Sequence, residues 1–212
     1  MSREELIKII WICVAVVLCL LVLFLILFPI FYKKYEFRNF KKVFYKRINK
    51  IVLNHDYLLI NDLVLKDHNG KICTIDHIVF AEKYIYVIKD RYYRGAISGQ
   101  KDDNVWFFYG KKGVKEEFEN PMKLNDKRID KLSSITHFDR SMFISVVLIN
   151  KNCIVKNLSS LNSKDSLIIP TSKLKKLIKN IESRDVAPID QKGLEKAVLE
   201  IANLKGKVVD DE

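Results

Sequence analysis

The spacing of hydrophobic positions changes several times along this chain, and each change marks an element. No charged residue occurs between Lys8 and Lys33. As a helix rising about 1.5 Å per residue, that run crosses a hydrocarbon core of roughly 30 Å. The sequence therefore predicts a short flank over 1–8 and a transmembrane helix over 9–32. A cleaved signal peptide is the rival reading. The length of the run and the lack of a small-x-small site after Pro29 count against it. Trp11 at one end and Phe31, Tyr32 and Tyr35 at the other suit the two membrane interfaces.

Over 33–52 the apolar positions Phe40, Val43, Phe44, Ile48, Ile51 and Val52 recur at helical spacing among basic residues, which predicts an amphipathic juxtamembrane helix. Three runs rich in β-branched and aromatic residues follow: YLLINDLVL, ICTIDHIVF and YIYVIKDRYY. Turn signals at Asp67-His68-Asn69-Gly70 and Ala81-Glu82-Lys83 separate them, which predicts a meander. Two further strands are expected around Gly95 to Ile97 and Val105 to Tyr109, with a turn from Gly110 to Gly113. After Asn120-Pro121, Leu124, Ile129, Leu132 and Ile135 give a helix, and Phe143 to Ile149 a buried strand. A strand over Ser166 to Ile169 precedes Pro170, and Thr171 or Ser172 is placed to cap a helix bearing Leu174, Leu177, Ile178 and Ile181. The compact domain is expected over 53–182. Residues 183–212 read as a linker with Pro188 and an amphipathic helix bearing Leu194, Ala197, Val198, Ile201 and Leu204, available to a protein partner. The fold class is α/β, with a mixed central sheet flanked by helices.

Composition narrows the partners. A net charge of +11 favours anions, either nucleic acid or anionic lipid headgroups. Arg3 and Lys8 face Glu4 and Glu5 before the apolar run. Lys33, Lys34, Arg38, Lys41, Lys42, Lys46, Arg47 and Lys50 follow it, with only Glu36 opposing. The positive-inside rule then places the N-terminus outside and the C-terminal domain in the cytoplasm of a single-pass membrane protein. Cys13 and Cys19 lie in the apolar run, and Cys73 and Cys153 are far apart without CxxC spacing, so neither a disulfide framework nor a zinc site is indicated.

From about Phe40 to Ile181 the chain resembles the nuclease-related domain family, NERD. The resemblance rests on NDLVLKDHNGKICTIDHIVF, YIYVIKDRYYRGAISG, Trp106 and FENPMKLN in that order. It implies a fold like that of restriction endonucleases and metal-assisted phosphodiester hydrolysis, in which strand carboxylates hold Mg²⁺ and a Lys supports the attacking water. Asp76 takes the position of the family's first metal-binding carboxylate. The family's Glu-x-Lys falls on Lys89-Asp90-Arg91, so a cation stands where the second carboxylate belongs, and the glutamine that follows Asn-Pro in the family is Leu124. Asp90, one residue along, is expected to point to the other face of the strand. By the same resemblance the catalytic candidates are Asp76, Lys89 and Arg91, and the metal candidate is Asp76.

Asp76 with Lys89 also reads as an internal ion pair, and His77 as a packing or surface residue on the opposite strand face. Lys89, Arg91, Tyr93, Arg94, Lys123 and Lys127 are candidates for nucleic-acid contact, through phosphate pairing and base stacking. Cross-strand packing and a solvated helix face explain the same residues. Three functions follow. The first is a membrane-anchored NERD domain that has lost catalysis and binds DNA, RNA or a protein that processes them, with no cofactor. The second is an active Mg²⁺-dependent nuclease with a carboxylate relocated to Asp90 or Glu36. The third is a membrane-surface scaffold that contacts lipid and a protein partner.

Overall fold

The computed structural model describes residues 3–66, 72–136 and 138–203. The chain divides into two units, Met1–Val43 and Phe44–Glu212. In the first, α1 (Arg3–Arg38) is the one helix among the described residues long and apolar enough to cross a membrane. It runs past the apolar stretch into the basic flank, and α2 (Phe40–Leu53) begins just after Asn39. The break between the two helices therefore lies at Asn39, inside the span expected to be one helix over 33–52. Within α1, Phe28 packs its ring on Phe24 and Tyr32, one turn away on either side.

In the second unit, β1 (Leu58–Lys66), β2 (Ile72–Phe80) and β3 (Ile85–Arg91) form the expected antiparallel meander. The turn expected at Asp67 to Gly70 lies outside the described residues. β4 (Ala96–Ser98), β5 (Val105–Tyr109) and β6 (Lys115–Glu119) follow, then α3 (Pro121–Thr136), β7 (Phe143–Ile149), β8 (Ile154–Val155), α4 (Leu158–Leu161), β9 (Ser166–Pro170), α5 (Leu174–Glu182) and α6 (Gln191–Asn203). Two mixed sheets result. The larger has the order β1-β2-β3-β7-β9, with β7 and β9 parallel to β3, and the smaller has the order β6-β5-β4-β8.

One face of the large sheet is covered by α3 and α6. Ile78, Phe80, Ile85 and Val87 pack there with Ile129, Leu132, Ala197 and Ile201, all essentially without solvent contact. The last helix, expected to offer its apolar face to a partner, instead uses Ala197 and Ile201 inside the domain's own core, and Leu199 on its other side is exposed. The segment leading to it is not a free linker, because Ile189 donates its N–H to the Glu82 carbonyl at 2.7 Å. On the opposite sheet face, Tyr86 donates its hydroxyl to Glu182 of α5 at 2.6 Å, and Tyr45 of α2 stacks on His77. The expected cap at Thr171 or Ser172 does not form. Thr171 to Lys173 make a 3₁₀ turn, α5 starts after Lys173 without a side-chain cap, and the Thr171 hydroxyl accepts a hydrogen bond from Arg47 of α2.

Trp106, Ile97 and Met122 join Val147, Ile149 and Ile168 in a second core between the two sheets. This packing fixes the glycines of YIYVIKDRYYRGAISG. A β-carbon on Gly95 would overlap the Tyr109 carbonyl oxygen, and one on Gly99 would overlap the Trp106 ring. Both positions serve close approach between chain segments. The Asn-Pro motif is a helix start: Asn120 Oδ1 accepts the Met122 N–H at 2.9 Å, and Pro121, whose missing N–H would find no helical partner, opens α3.

Candidate functional site

The meander register pairs His77 with Ile88, which sets Asp76 of β2 across from Lys89 of β3 on the α3 side. Lys89 Nζ stands 3.0 Å from Asp76 Oδ1, and both side chains are 7% exposed. Asp76 Oδ2 accepts the Asp90 main-chain N–H at 2.9 Å. Both carboxylate oxygens thus have donors. On its other flank Lys89 adjoins Val147 of the parallel strand β7. Desolvation pulls the Lys89 ammonium below the ordinary lysine value. Asp76 pulls it back up, and the charges of Arg128 and Arg91 push it further down. Beside Asp76 the ladder is irregular: between the pairs Asn61–His77 and Leu63–Ile75, Asp62 adopts φ +52 in the left-handed region.

α3 closes the site from above. Asn125, fully buried, donates to the Val87 carbonyl at 2.9 Å and to Ser145 Oγ at 3.1 Å. Arg128 lies one turn beyond Leu124. Its Nε and Nη1 are buried and meet no acceptor among the described residues.

The opposite face carries a separate network. His77 is a buried residue rather than a surface one. Its Nε2 lies 3.0 Å from Asp90 Oδ2, its Nδ1 lies 2.6 Å from Asn61 Oδ1 of β1, and the Tyr45 ring stacks on it at 6.3 Å. With oxygens on both sides, one ring nitrogen faces the Asn61 amide oxygen, and the other shares a single proton with Asp90, donated by whichever partner carries it. Burial lifts the Asp90 carboxyl above the usual carboxylate range, while its hydrogen bond and charge interaction with His77 draw it down. A group whose folded pKa exceeds its unfolded one stabilises fully below the unfolded value, and that contribution is lost as pH rises through the folded value. The Asp90→Asn variant is therefore expected to lose less stability than the parent chain between mildly acidic and neutral pH. Thermal unfolding across that window checks it, and equal slopes would contradict the assignment.

The sequence-based site residues fare differently. Asp76 and Lys89 meet directly, and Arg91, at the end of β3, is close enough to act on the Lys89 charge. Tyr93 is committed to packing: its ring lies against Phe118 and Phe108 at 5.3 and 6.1 Å, and burial pushes its hydroxyl up to about 12. The base-stacking role expected of it conflicts with that position. Lys123 Nζ is bonded to the Asp102 carbonyl and, at 3.0 Å, to Asn104 Oδ1, so it holds the β4–β5 loop. Arg94 and Lys127 are exposed. His68 and His137 lie outside the described residues, and His55 is exposed beside Tyr57. Sequence reasoning missed Asn61, Asn125 and Arg128. The only signal for Arg128 is its place one helical turn after the position where the family resemblance sets a glutamine.

The family model for the nuclease-related domain matches residues 38–150, just over half of the chain. The chain belongs to the NERD family. No curated protein and no solved structure matches it. The NERD match covers the meander, the smaller sheet's β4–β6, α3 and β7, and so holds Asp76, Lys89, Arg91 and Arg128 together. α5 and α6 fall outside it, although α6 completes the core.

Mg²⁺ does not fit this NERD site. The ion needs several oxygen ligands in near-octahedral order. Here the Asp76 oxygens are taken by an ammonium and an amide N–H, Lys89 fills the neighbouring strand position, and the Asp90 carboxylate is on the other face. Among the described residues no three His, Cys, Asp or Glu side chains gather as a metal-binding group.

Proposed function

We propose that this NERD chain is a membrane-anchored, nuclease-related domain that has exchanged its catalytic metal for an internal cation and binds nucleic acid, or a protein that handles it, at the cytoplasmic face. The observation that carries the reading is the Asp76–Lys89 pair. A carboxylate already neutralised at 3.0 Å by a buried ammonium has little affinity left for a divalent ion, and the ammonium repels one. The large sheet, with β7 and β9 parallel to β3 and helices on both faces, supports a restriction-endonuclease-like core. The excess of Lys and Arg just after the apolar run supports the cytoplasmic placement of the domain.

The test uses the full-length chain in detergent, incubated with single-stranded and duplex DNA and RNA in Mg²⁺ or Mn²⁺. The expected result is binding that weakens steeply with salt, without cleavage. Metal-dependent cleavage that disappears in Asp76→Asn would overturn the reading in favour of an active nuclease. Neither binding nor cleavage would overturn it in favour of a membrane-surface scaffold.

A further inference from the structure

The helices on the two sides of the large sheet carry charge differently. On the α3 and α6 side the signs are mixed: Arg140 pairs with Asp126 and Asp130 of α3, and Lys196 of α6 lies 3.7 Å from Glu200. On the other side α2 and α5 present one sign. Residues 44–53 of α2 contain no carboxylate, and Lys46 and Lys50 are exposed there. Lys175, Lys176 and Lys179 of α5 are exposed opposite its buried Leu174, Ile178 and Ile181, and Lys173 is exposed in the turn before it. The acid of α5, Glu182, is engaged by the Tyr86 hydroxyl and the Lys83 main-chain N–H. Asp56 and Asp185 each come only after the helix has ended. Among the described residues none of these lysines meets a carboxylate. Arg47 ties the two helices together by donating to the Thr171 hydroxyl in the turn that opens α5. Lys46, Lys50 and Leu53 follow helical spacing along one row of α2, and Leu53 is 69% exposed.

We infer that the α2–α5 face of the second unit docks on an anionic lipid surface. The exposed cations of this face are all lysines. A lysine is a point charge on a flexible stem and suits a fluid layer of headgroups, whereas the planar fork of arginine suits individual phosphates held in a fixed array. An exposed leucine in the lysine row fits the boundary between headgroups and acyl chains, along which lysine stems also lie. A phosphate backbone offers Leu53 no apolar counterpart. Connectivity adds to this, because α2 starts just after α1 in the chain and the face is tethered close to whatever bilayer α1 enters. The inference goes beyond the binding proposed above and shares only the membrane anchor with it.

The test uses the full-length chain reconstituted in vesicles of phosphatidylcholine, alone or mixed with phosphatidylglycerol. Lysines are acetylated with an uncharged reagent and their rates read by mass spectrometry. Lys46, Lys50, Lys175, Lys176 and Lys179 are expected to react about fivefold more slowly in the anionic vesicles, and high salt should remove the protection. Lys127 of α3 and Lys192 of α6, exposed on the other side, should keep their rates. Lys175→Gln, Lys176→Gln and Lys179→Gln combined are expected to return Lys46 and Lys50 to the rates seen in neutral vesicles. The same change at Lys127, Lys192 and Lys196 should leave them protected. Equal slowing of every lysine in the anionic vesicles, or rates that do not differ between the two lipids, would overturn the inference. Protection given only by an added oligonucleotide in neutral vesicles would overturn it in favour of nucleic acid. The anchor is read separately by alkaline extraction: a chain released from the vesicles would overturn the membrane-anchored reading, while the lysine rates with the same vesicles added still judge the face.

Discussion

Replacing Asp76 by Ala is expected to cost about 3–5 kcal/mol, the largest loss from any single substitution at the site, because it strands the Lys89 ammonium in a buried position. Lys89→Ala leaves the carboxylate with only its amide donor and should cost a similar amount. The double variant Asp76→Leu with Lys89→Met is expected to recover most of the loss, since it removes the desolvation of two charges along with their attraction. Chemical unfolding of these proteins together with the single variants Asp76→Leu and Lys89→Met closes the cycle. If the double variant is as unstable as the sum of the singles, the two side chains act independently and the pair does not account for their burial.

Lys89→Glu is expected to have the opposite character: a chain weakened in chelator and rescued by divalent ions. The register places residue 89 against Asp76, so the substitution puts two carboxylates side by side on adjacent strands. Without a cation they repel. With Mn²⁺ they become a two-carboxylate ligand set, and Arg91 stands two residues on, where the family resemblance sets its Lys. At one hundred times the dissociation constant, bound metal would add about 2.7 kcal/mol. Thermal unfolding with and without Mn²⁺ reads this out. A parent chain stabilised as much as the variant would mean that the Asp76 site takes metal despite Lys89, and a variant indifferent to Mn²⁺ would mean that the missing charge is not the only obstacle.

Much of the large sheet was legible because strand alternation is a strict code. The runs ICTIDHIVF and YIYVIKDRYY place Asp76 and Lys89 on one face and His77 and Asp90 on the other, as the structure has them. What alternation does not carry is the environment above each face. His77 reads as a lone polar residue until Asn61, Asp90 and Tyr45 surround it from three different elements. β6 escaped notice because KEEFE is four-fifths charged, as befits an exposed edge strand of the smaller sheet. β8 is too short to show a period. The amphipathic pattern of α6 was plain, but an apolar stripe says only that it will be covered, and the sequence is silent on whether by this chain or another. In the sequence Arg128 falls among Lys123, Lys127 and Lys131, whose spacing by four reads as one basic stripe. Asn125 and Ile129 facing the sheet are what turn Arg128 inward relative to that stripe.

The order in which this site assembles follows from chain connectivity. β1, β2 and β3 join through short-range contacts, so Asp76 and Lys89 can meet as soon as the meander forms. The parallel pairing of β3 with β7 must wait until the chain from Arg91 to Phe143, which contains β4, β5, β6 and α3, has been gathered in. Closing so long a loop is slow relative to forming hairpins. Chain connectivity therefore favours pairing of the carboxylate with its ammonium in the meander ahead of the docking of α3, which brings Arg128.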